Sequence, residues 1–421
     1  MIRSFSFRNL WSFEDEQLIS FEVGKTPPED NRFITTPRED RVSAALAIFG
    51  ANASGKTNIL KILAFMAWFI PSSWESMKPG EKIPFSKFHF SIDDTKNSSF
   101  SLIVETKLGI KYRYELVISN TSVETENLFT MNNESGKWNY LLKRSTLNNT
   151  ENILIRGINI TKNDIKKQIR SNASIISTIR QYDESGIEPF INLIGKFETN
   201  VGPGGRETTD HDFISLEALK RISDDEKYRE SLSKYLAEFD TGLSSIVSQK
   251  IPEKIIMDIM NNVEIPQIEK DAIASFKHTK DAYIPIAVHV IDGKEYKIPF
   301  NLESDGTRQL LILLINIIMV LENGGLLIHD ELELGLHPHI IPALLKLFFS
   351  KKTNPKGAQI ILTTHSTDVM NELHKSQIVL VQKDDRCRSH AWRLDEMKGV
   401  RIDDNILAKY HSGAYGAIPS L

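Results

Sequence analysis

The fold of this chain is decided by Gly50-Ala51-Asn52-Ala53-Ser54-Gly55-Lys56-Thr57, which has the G-x-x-x-x-G-K-[ST] spacing of a phosphate-binding loop. The apolar residues 44–49 before it predict a short buried strand, and residues 58–70 after it predict an apolar helix. Glycines let the backbone turn tightly so that its N–H groups point at phosphate oxygens, and the helix N-terminus adds partial positive charge. The setting therefore predicts a nucleotide site in which Lys56 reaches the terminal phosphates and the Thr57 hydroxyl holds Mg²⁺.

The composition is that of a globular protein with no strong bias toward a class of partner. The chain has 421 residues, enough for about two or three domains, and a formal net charge of -4 that offers no basic excess for non-specific nucleic-acid binding. Its one cysteine, Cys387, excludes an internal disulfide and a cysteine-based zinc cluster. No signal peptide is recognisable, and the longest apolar run, residues 310–321, contains Asn316 and favours a buried helix. We expect a cytoplasmic protein without a membrane partner.

The pattern along the chain predicts a nucleotide-binding core that is split by an insertion. Residues 1–160 are predicted to form the first half of the core with an antiparallel β lobe, because short strand-like runs alternate with turn residues. Residues 161–285 are typical of a helical insertion, a lid or partner-docking element, with Ser223-Asp224-Asp225-Glu226 as a helix capping box. Residues 286–421 return to alternating strands and helices. The predicted fold class is therefore α/β, a mixed sheet covered by helices.

Two apolar segments in the last third end in polar side chains. The segment 325–331 ends in Asp330 and Glu331, and the segment 360–366 ends in a polar cluster that includes His365. Because parallel strands end at the same edge of a sheet, Asp330 is predicted on the metal side, beside Thr57. Glu331 would then face the attacking water and act as its general base or position it, and His365 would hydrogen-bond this water or the γ-phosphate. A structural histidine is the competing interpretation, and the two neighbouring strand ends disfavour it.

The segment 302–309 precedes an apolar helix and offers a further phosphate contact. Ser304 and Gly306 stand at the predicted helix N-terminus, where backbone N–H groups favour an anion. The alternative interpretation is that Ser304 and Asp305 only cap the helix.

The order of these motifs resembles the ABC-type ATPases of the SMC, RecF and OLD group. The segments that carry the resemblance are GANASGKT, ESDGT, LLIHDE, GLHP and TTHS, and they look most like the RloA-type and abortive-infection ATPases of the AAA family. The resemblance implies a P-loop NTPase of the ABC or SMC-head type. It also implies that Ser304 and Gly306 contact the γ-phosphate bound to a second subunit, that residues 333–338 cross the dimer interface, and that His365 is a switch histidine. The segment 7–13, FRNLWSF, resembles the N-terminal pattern of these proteins, and this resemblance implies a nucleotide contact for Arg8.

The predicted site thus combines residues from both halves of the chain around ATP and Mg²⁺. Its catalytic residues are Glu331 and His365, and its metal-side residues are Thr57 and Asp330. The predicted nucleotide-binding residues are Gly50, Asn52, Ser54, Gly55, Lys56, Thr57, Asn58, Ser304, Gly306 and Arg8. GTP stays open as a substrate, because no residue clearly specifies adenine.

The resemblance implies a regulatory ATPase of phage defence, a homodimer or higher homo-oligomer that holds ATP between subunits and controls a separately encoded nuclease or toxin. The alternative is a DNA repair or recombination ATPase, for which Lys162, Lys166, Lys167 and Arg170 are candidate nucleic-acid contacts. A solvated helix face is the competing interpretation of that cluster. The motor subunit of an ABC transporter is disfavoured by the long insertion and by the non-LSGGQ signature.

Overall fold

The computed structural model describes residues 1–24, 30–91, 96–132, 135–147, 150–182, 186–206, 214–239, 241–251, 282–401 and 404–419. The chain divides into two compact units. The first comprises Met1–Glu207, Val320–Glu333 and His337–Leu421, and the second comprises Thr208–Met319 and Leu334–Leu336.

The described residues form strands and helices throughout both units. The strands are β1 Ile2–Arg8, β2 Gln17–Ser20, β3 Glu22–Val23, β4 Phe33–Thr35, β5 Arg41–Ser43, β6 Ala45–Phe49, β7 Ser98–Glu105, β8 Lys111–Ile118, β9 Val123–Met131, β10 Trp138–Leu147, β11 Thr150–Ile155, β12 Phe197–Thr199, β13 Val201–Gly202, β14 Gly205–Arg206, β15 Ser245–Ile251, β16 Ala282–Ile291, β17 Lys294–Pro299, β18 Leu326–His329, β19 Gln359–Thr363, β20 Ile378–Lys383 and β21 Ser389–Arg393. The α-helices are α1 Lys56–Ser76, α2 Lys162–Gln168, α3 Ile175–Ile179, α4 Glu188–Ile194, α5 Leu216–Asp224, α6 Glu226–Glu238, α7 Asp305–Asn323, α8 Ile340–Phe349 and α9 Ile406–His411. Short 3-10 helices span Phe300–Leu302, Thr367–Glu372, Lys375–Gln377 and Leu394–Glu396.

A mixed sheet with the order β12-β18-β19-β6-β20-β21 lies at the centre of the first unit. Its first five strands are parallel, and β21 pairs antiparallel with β20. Every residue of β6 is buried, which is typical of a parallel strand covered on both faces. Because β6, β19 and β18 are parallel neighbours, their carboxyl ends meet at one edge, which positions the site described below.

Helix α1 follows the phosphate loop and packs against this sheet. It contacts β12, β18 and β19, and its apolar side chains from Ile59 to Ile70 join the large core of the first unit. The strand and helix predicted around the loop are confirmed. The helix is longer than predicted, because it continues through Pro71 to Ser76. Core packing here outweighs the unfavourable proline.

The predicted antiparallel β lobe is also confirmed. It is a seven-stranded sheet with the order β11-β10-β9-β8-β7-β1-β2. Strand β8 alternates strictly between buried and partly exposed residues, so one face of the sheet packs on the core. Strands β1 and β2, from the N-terminal part of the chain, complete this sheet beside β7. A small sheet with the order β3-β5-β4 belongs to the same unit.

The second unit contains an antiparallel sheet with the order β15-β16-β17, and α5 and α6 pack against β15. The capping box predicted at residues 223–226 is wrong. Ser223 lies inside α5, and the carboxylate of Asp225 caps α6 by accepting a hydrogen bond from Tyr228 N at 3.1 Å. The reason is that two short helices meet here, with the extended Asp225 as the single residue between them.

The described part of the interval 161–285 contains the five helices α2–α6 and also strands that the sequence did not predict. Strand β12 joins the central sheet beside β18, and the β13–β14 hairpin follows it directly. Strands of two or three residues carry no detectable periodicity, so the sequence could not reveal them. Residues 252–281 lie outside the described residues, and the division at 160 and 285 stays a prediction. No helix in the described ranges has the length and apolar character needed to cross a bilayer.

Candidate functional site

The phosphate loop between β6 and α1 ends at a glycine whose backbone conformation other residues rarely adopt. Gly55 has a φ of +113°, and a Cβ atom there would lie 2.5 Å from Ser389 Oγ and 2.8 Å from Ser12 Oγ. The Lys56 ammonium folds back over the loop and donates to the carbonyls of Gly50 at 2.9 Å and Ala51 at 3.1 Å. Burial lowers the pKa of Lys56, and the nearby Asp330 acts in the opposite direction. The loop is therefore built around a partly desolvated lysine.

Two serines from distant parts of the chain brace the loop. Ser389 Oγ donates to the carbonyl of Ser54 at 2.5 Å and lies 2.8 Å from Ser12 Oγ, which accepts from Asn58 Nδ2 at 2.9 Å. Ser389 N also donates to Ser12 O at 2.7 Å. Sequence reasoning missed the role of both serines: Ser12 lies in the N-terminal segment that implied the Arg8 contact, and Ser389 belongs to no recognised motif. Asn58, predicted to bind nucleotide, uses its side-chain amide in this brace.

Thr57 and Asp330 meet although 273 residues separate them. Thr57 Oγ1 lies 2.9 and 3.1 Å from the two carboxylate oxygens of Asp330. Asp330 follows β18 directly and is almost fully buried. The structure thus brings the two predicted metal-side residues together. A hydroxyl beside a buried carboxylate is an oxygen donor set that Mg²⁺ prefers.

Thr363 forms hydrogen bonds with both acidic residues, Asp330 and Glu331. It is the last residue of β19, which lies between β6 and β18 in the sheet. Its hydroxyl donates to Asp330 Oδ1 at 2.5 Å and accepts from Glu331 N at 2.8 Å. Its carbonyl accepts from Leu332 N at 3.1 Å. One buried threonine therefore fixes the turn that carries both carboxylates.

A Thr363→Val variant, which keeps the side-chain shape and removes the hydroxyl, should lower the free energy of unfolding by about 1–3 kcal/mol. The loss is expected because the buried Asp330 carboxylate and the Glu331 N–H each lose a partner. Urea unfolding measures it, and exposed Thr121→Val is the matched control that should leave stability unchanged. An unchanged midpoint for Thr363→Val would show that the hydroxyl does not hold this turn.

The side chain of Asn200 forms hydrogen bonds with both the N–H and the carbonyl of Asp330. Its Oδ1 accepts from Asp330 N at 2.7 Å, and its Nδ2 donates to Asp330 O at 3.1 Å. The residue is almost fully buried and directly follows β12, the neighbour of β18. Sequence reasoning missed it because β12 was not recognised as part of the sheet.

Glu331 is held differently from Asp330. Its backbone is left-handed, with a φ of +52°, which is uncommon for a residue other than glycine. Its side chain is 41% exposed, and Oε2 accepts from Arg206 Nη1 at 2.8 Å. Strained backbone of this kind is found most often at functional sites. Arg206 was not predicted as a site residue, and no sequence motif marks it.

His365 is exposed just beyond β19, at the same edge of the sheet. Its backbone N donates to Glu333 Oε1 at 2.6 Å, so the segment after β19 is tied to the loop after β18. The two strand ends predicted to share an edge do so, because β18 and β19 are direct parallel neighbours.

The predicted signature residues lie in the second unit, at the start of α7. Ser304 Oγ accepts from Thr307 N at 3.2 Å, so this serine caps α7 in the structure. A Cβ atom on Gly306 would lie 2.6 Å from the carbonyl of Gly335, so the start of α7 touches the loop 334–336 where only glycine fits. Both residues therefore lie at a helix N-terminus, as predicted.

Two further predicted residues are exposed. Arg8 ends β1, and Asn52 lies in the phosphate loop. Within the described ranges, no hydrogen bond joins Arg8 to that loop. Its contact with a nucleotide stays a prediction.

The buried hydroxyl of Ser54 indicates that the loop is suited to a bound phosphate. Ser54 is almost fully buried, and its hydroxyl has no hydrogen-bond partner among the residues that the structure describes. A buried hydroxyl without a partner is costly, so an additional acceptor is expected at this point. Phosphate oxygens would supply it, next to the Lys56 ammonium. The Thr57 hydroxyl and the Asp330 carboxylate fit Mg²⁺ in the same way.

The parallel sheet, the phosphate loop after β6 and the acidic pair after β18 define a P-loop nucleotide-binding protein, and the predicted α/β fold is confirmed. The chain belongs to the family described as "AAA domain, putative AbiEii toxin, Type IV TA system", which matches residues 46–371. Among solved structures it is similar to the SMC head domain from Thermotoga maritima, with a TM-score of 0.41 and 13% identity over 93% of this chain and 98% of that chain. No curated protein matches it.

Proposed function

We propose that this protein binds and hydrolyses ATP with Mg²⁺. The observation that carries the proposal is the contact between Thr57 Oγ1 and the Asp330 carboxylate at 2.9 and 3.1 Å. It joins the phosphate loop to the acidic strand end, which is the arrangement that phosphoryl transfer from a nucleotide needs. The membership of an AAA-domain family supports a nucleotide substrate.

The residues of the chain have separate tasks in this proposal. Lys56 and the loop N–H groups bind the phosphates, and the Ser54 hydroxyl donates to one of their oxygens. Thr57 and Asp330 would hold Mg²⁺, which supplies charge neutralisation at the phosphate oxygens. Glu331 accepts a proton from the attacking water and orients it. His365, at the neighbouring strand end, contacts this water or the γ-phosphate.

We also propose that two copies of the chain hold ATP between them. In this proposal Ser304 and Gly306 of one copy contact the γ-phosphate bound to the other. The support is the resemblance of the ESDGT segment to an ABC-type signature and its position at the N-terminus of α7, where an anion is favoured. Charge-assisted hydrogen bonds to the γ-phosphate would then distinguish ATP from ADP and bias assembly.

The biological role that we propose is regulation in phage defence, with a separately encoded nuclease or toxin as effector. The family description names a putative toxin and a type IV TA system, which supports this role over the others. The finer likeness to RloA-type and abortive-infection ATPases rests on the five motifs. GTP is the alternative substrate, and the rates of hydrolysis of ATP and GTP by the same preparation decide between them.

One of the four basic residues that the DNA-repair alternative assigns to nucleic-acid contacts has a structural role instead. Arg170 Nη1 donates to the carbonyls of Trp74 and Met77 at 2.7 Å each, and its guanidinium lies 4.3 Å from the centroid of the Trp74 ring. The arginine therefore caps the end of α1. Lys166 and Lys167 stay exposed on α2 and are the variants to test for DNA-stimulated hydrolysis, because their loss should not disturb α1.

Gel filtration of a Glu331→Gln variant tests the ATP-dependent assembly. With MgATP the variant should elute at about twice the monomer mass, and with MgADP it should elute as without nucleotide, because only ATP carries the bridging γ-phosphate. A second substitution, Ser304→Asp, keeps a helix-capping side chain at this exposed position and places a negative charge against the bridging γ-phosphate, so it should abolish the ATP-dependent shift and leave ATP binding intact. An elution volume that MgATP does not change would contradict the assembly.

A further inference from the structure

The segment 200–206 contacts both carboxylate residues of the site, although it lies outside every recognised motif. Asn200 forms two hydrogen bonds with the backbone of Asp330, and Arg206 forms an ion pair with Glu331 at 2.8 Å. We propose that Arg206 is a positioning residue, which orients the Glu331 carboxylate toward the attacking water. The inference rests on the proposed role of Glu331 and adds a residue to it.

The first step of the argument is that Arg206 is held by the fold. It pairs with Val201 in the β13–β14 hairpin, and Val201 is 2% exposed in the core of the first unit. The hairpin packs against α1, the helix that begins with Lys56 and Thr57. Gly205 lies close to Lys61 of that helix. The guanidinium therefore projects from an anchored hairpin.

The second step is that Glu331 needs an external partner to keep one orientation. Its backbone is fixed, because its N–H donates to Thr363 Oγ1 at 2.8 Å. Its side chain is 41% exposed, so packing alone does not select one rotamer. The ion pair with Arg206 supplies this selection.

The third step is that the contact leaves an oxygen for water. Arg206 binds Oε2, and among the residues that the structure describes no hydrogen bond reaches Oε1 of Glu331. A one-point contact restricts the carboxylate and leaves its second oxygen free to accept a proton. A general base must have a free oxygen within hydrogen-bond reach of the water that it activates.

The fourth step separates this role from a structural one. An ion pair between a 25% exposed arginine and a 41% exposed glutamate contributes little to stability. Removing the guanidinium should therefore affect the hydrolysis rate and leave folding unchanged. It should also act only through Glu331, so its effect should vanish once the carboxylate is gone.

The test is a double-mutant cycle on the full chain with Arg206→Ala and Glu331→Gln, measured as steady-state ATP hydrolysis over a range of ATP concentrations. Arg206→Ala should lower kcat roughly ten- to hundredfold, keep KM within about twofold, and add nothing to the loss in Glu331→Gln. Arg206→Lys should restore part of the rate, because it returns a positive charge without the guanidinium geometry. Exposed Arg386→Ala is the matched control.

The outcomes are distinguishable from those of the proposed function. If Glu331→Gln is slow while Arg206→Ala hydrolyses at or above the wild-type rate, the positioning role is wrong and the function stands. An equal loss from Arg206→Ala in both backgrounds would also overturn the positioning role. A wild-type rate in Glu331→Gln would overturn the catalytic role of Glu331, and with it this inference.

Discussion

A Glu331→Gln variant is expected to bind ATP normally and to hydrolyse it at least about a hundredfold more slowly than the wild type. The amide cannot accept a proton from water, whereas its shape and its hydrogen bond to Arg206 can be kept. Binding should survive because the phosphate contacts lie on the loop and on Lys56. The side chain of Glu331 is 41% exposed and its N–H stays bonded to Thr363, so the fold should not change.

Hydrolysis is measured as phosphate release under single-turnover conditions, and binding by the ATP-induced rise in melting temperature. Glu230→Gln is a matched control, because Glu230 is exposed on α6 in the second unit. A variant that lost binding and hydrolysis together would place Glu331 in nucleotide binding. A normal rate would remove it from the chemistry.

The part of the site that could be predicted from the sequence is the part that strand topology determines. Thr57 follows a glycine loop after β6, and Asp330 follows an apolar strand, so a parallel sheet had to bring the two ends to one edge. The structure adds β19 between these strands, which explains why Thr363 can contact Asp330 and Glu331 at once. That threonine stood within a recognised motif, and only its role was missed.

The residues that could not be predicted come from segments without periodicity. Asn200 follows a three-residue strand, and Arg206 ends a hairpin whose strands have two residues each. Their contacts depend on β12 pairing beside β18, which is a long-range event that no local pattern encodes. The same holds for Ser12 and Ser389, whose contact joins the two ends of the first unit.

Arg170 shows the opposite error, in which a sequence pattern suggested a function that local packing already explains. In the sequence it belongs to a basic cluster that is compatible with nucleic-acid binding. In the structure its guanidinium stacks on Trp74 and satisfies two carbonyls at the end of α1. The last carbonyl groups of a helix have no partner within the helix. A nearby arginine can donate to them, and its guanidinium is then not available to a ligand.

A Lys56→Ala variant should lose the ATP-induced rise in melting temperature and at least about a hundredfold in hydrolysis rate. The ammonium is the one cation on the loop itself, and charge-assisted hydrogen bonds to phosphate are the strongest contacts available there. The free protein should melt at nearly the same temperature as the wild type. Burial that lowers the pKa of Lys56 costs free energy, and losing that cost offsets the loss of the bonds to Gly50 and Ala51.

Lys61→Ala is the matched control for charge and burial. Lys61 lies further along α1, burial lowers its pKa in the same direction, and its ammonium lies 5.8 Å from the centroid of the Trp11 ring. This variant should keep the ATP-induced rise in melting temperature. If both variants lost it equally, the effect would come from the charge of α1 as a whole. If Lys56→Ala alone kept a wild-type rise and rate, the phosphate loop would not be the nucleotide site, and the contact between Thr57 and Asp330 would have to be explained as structural.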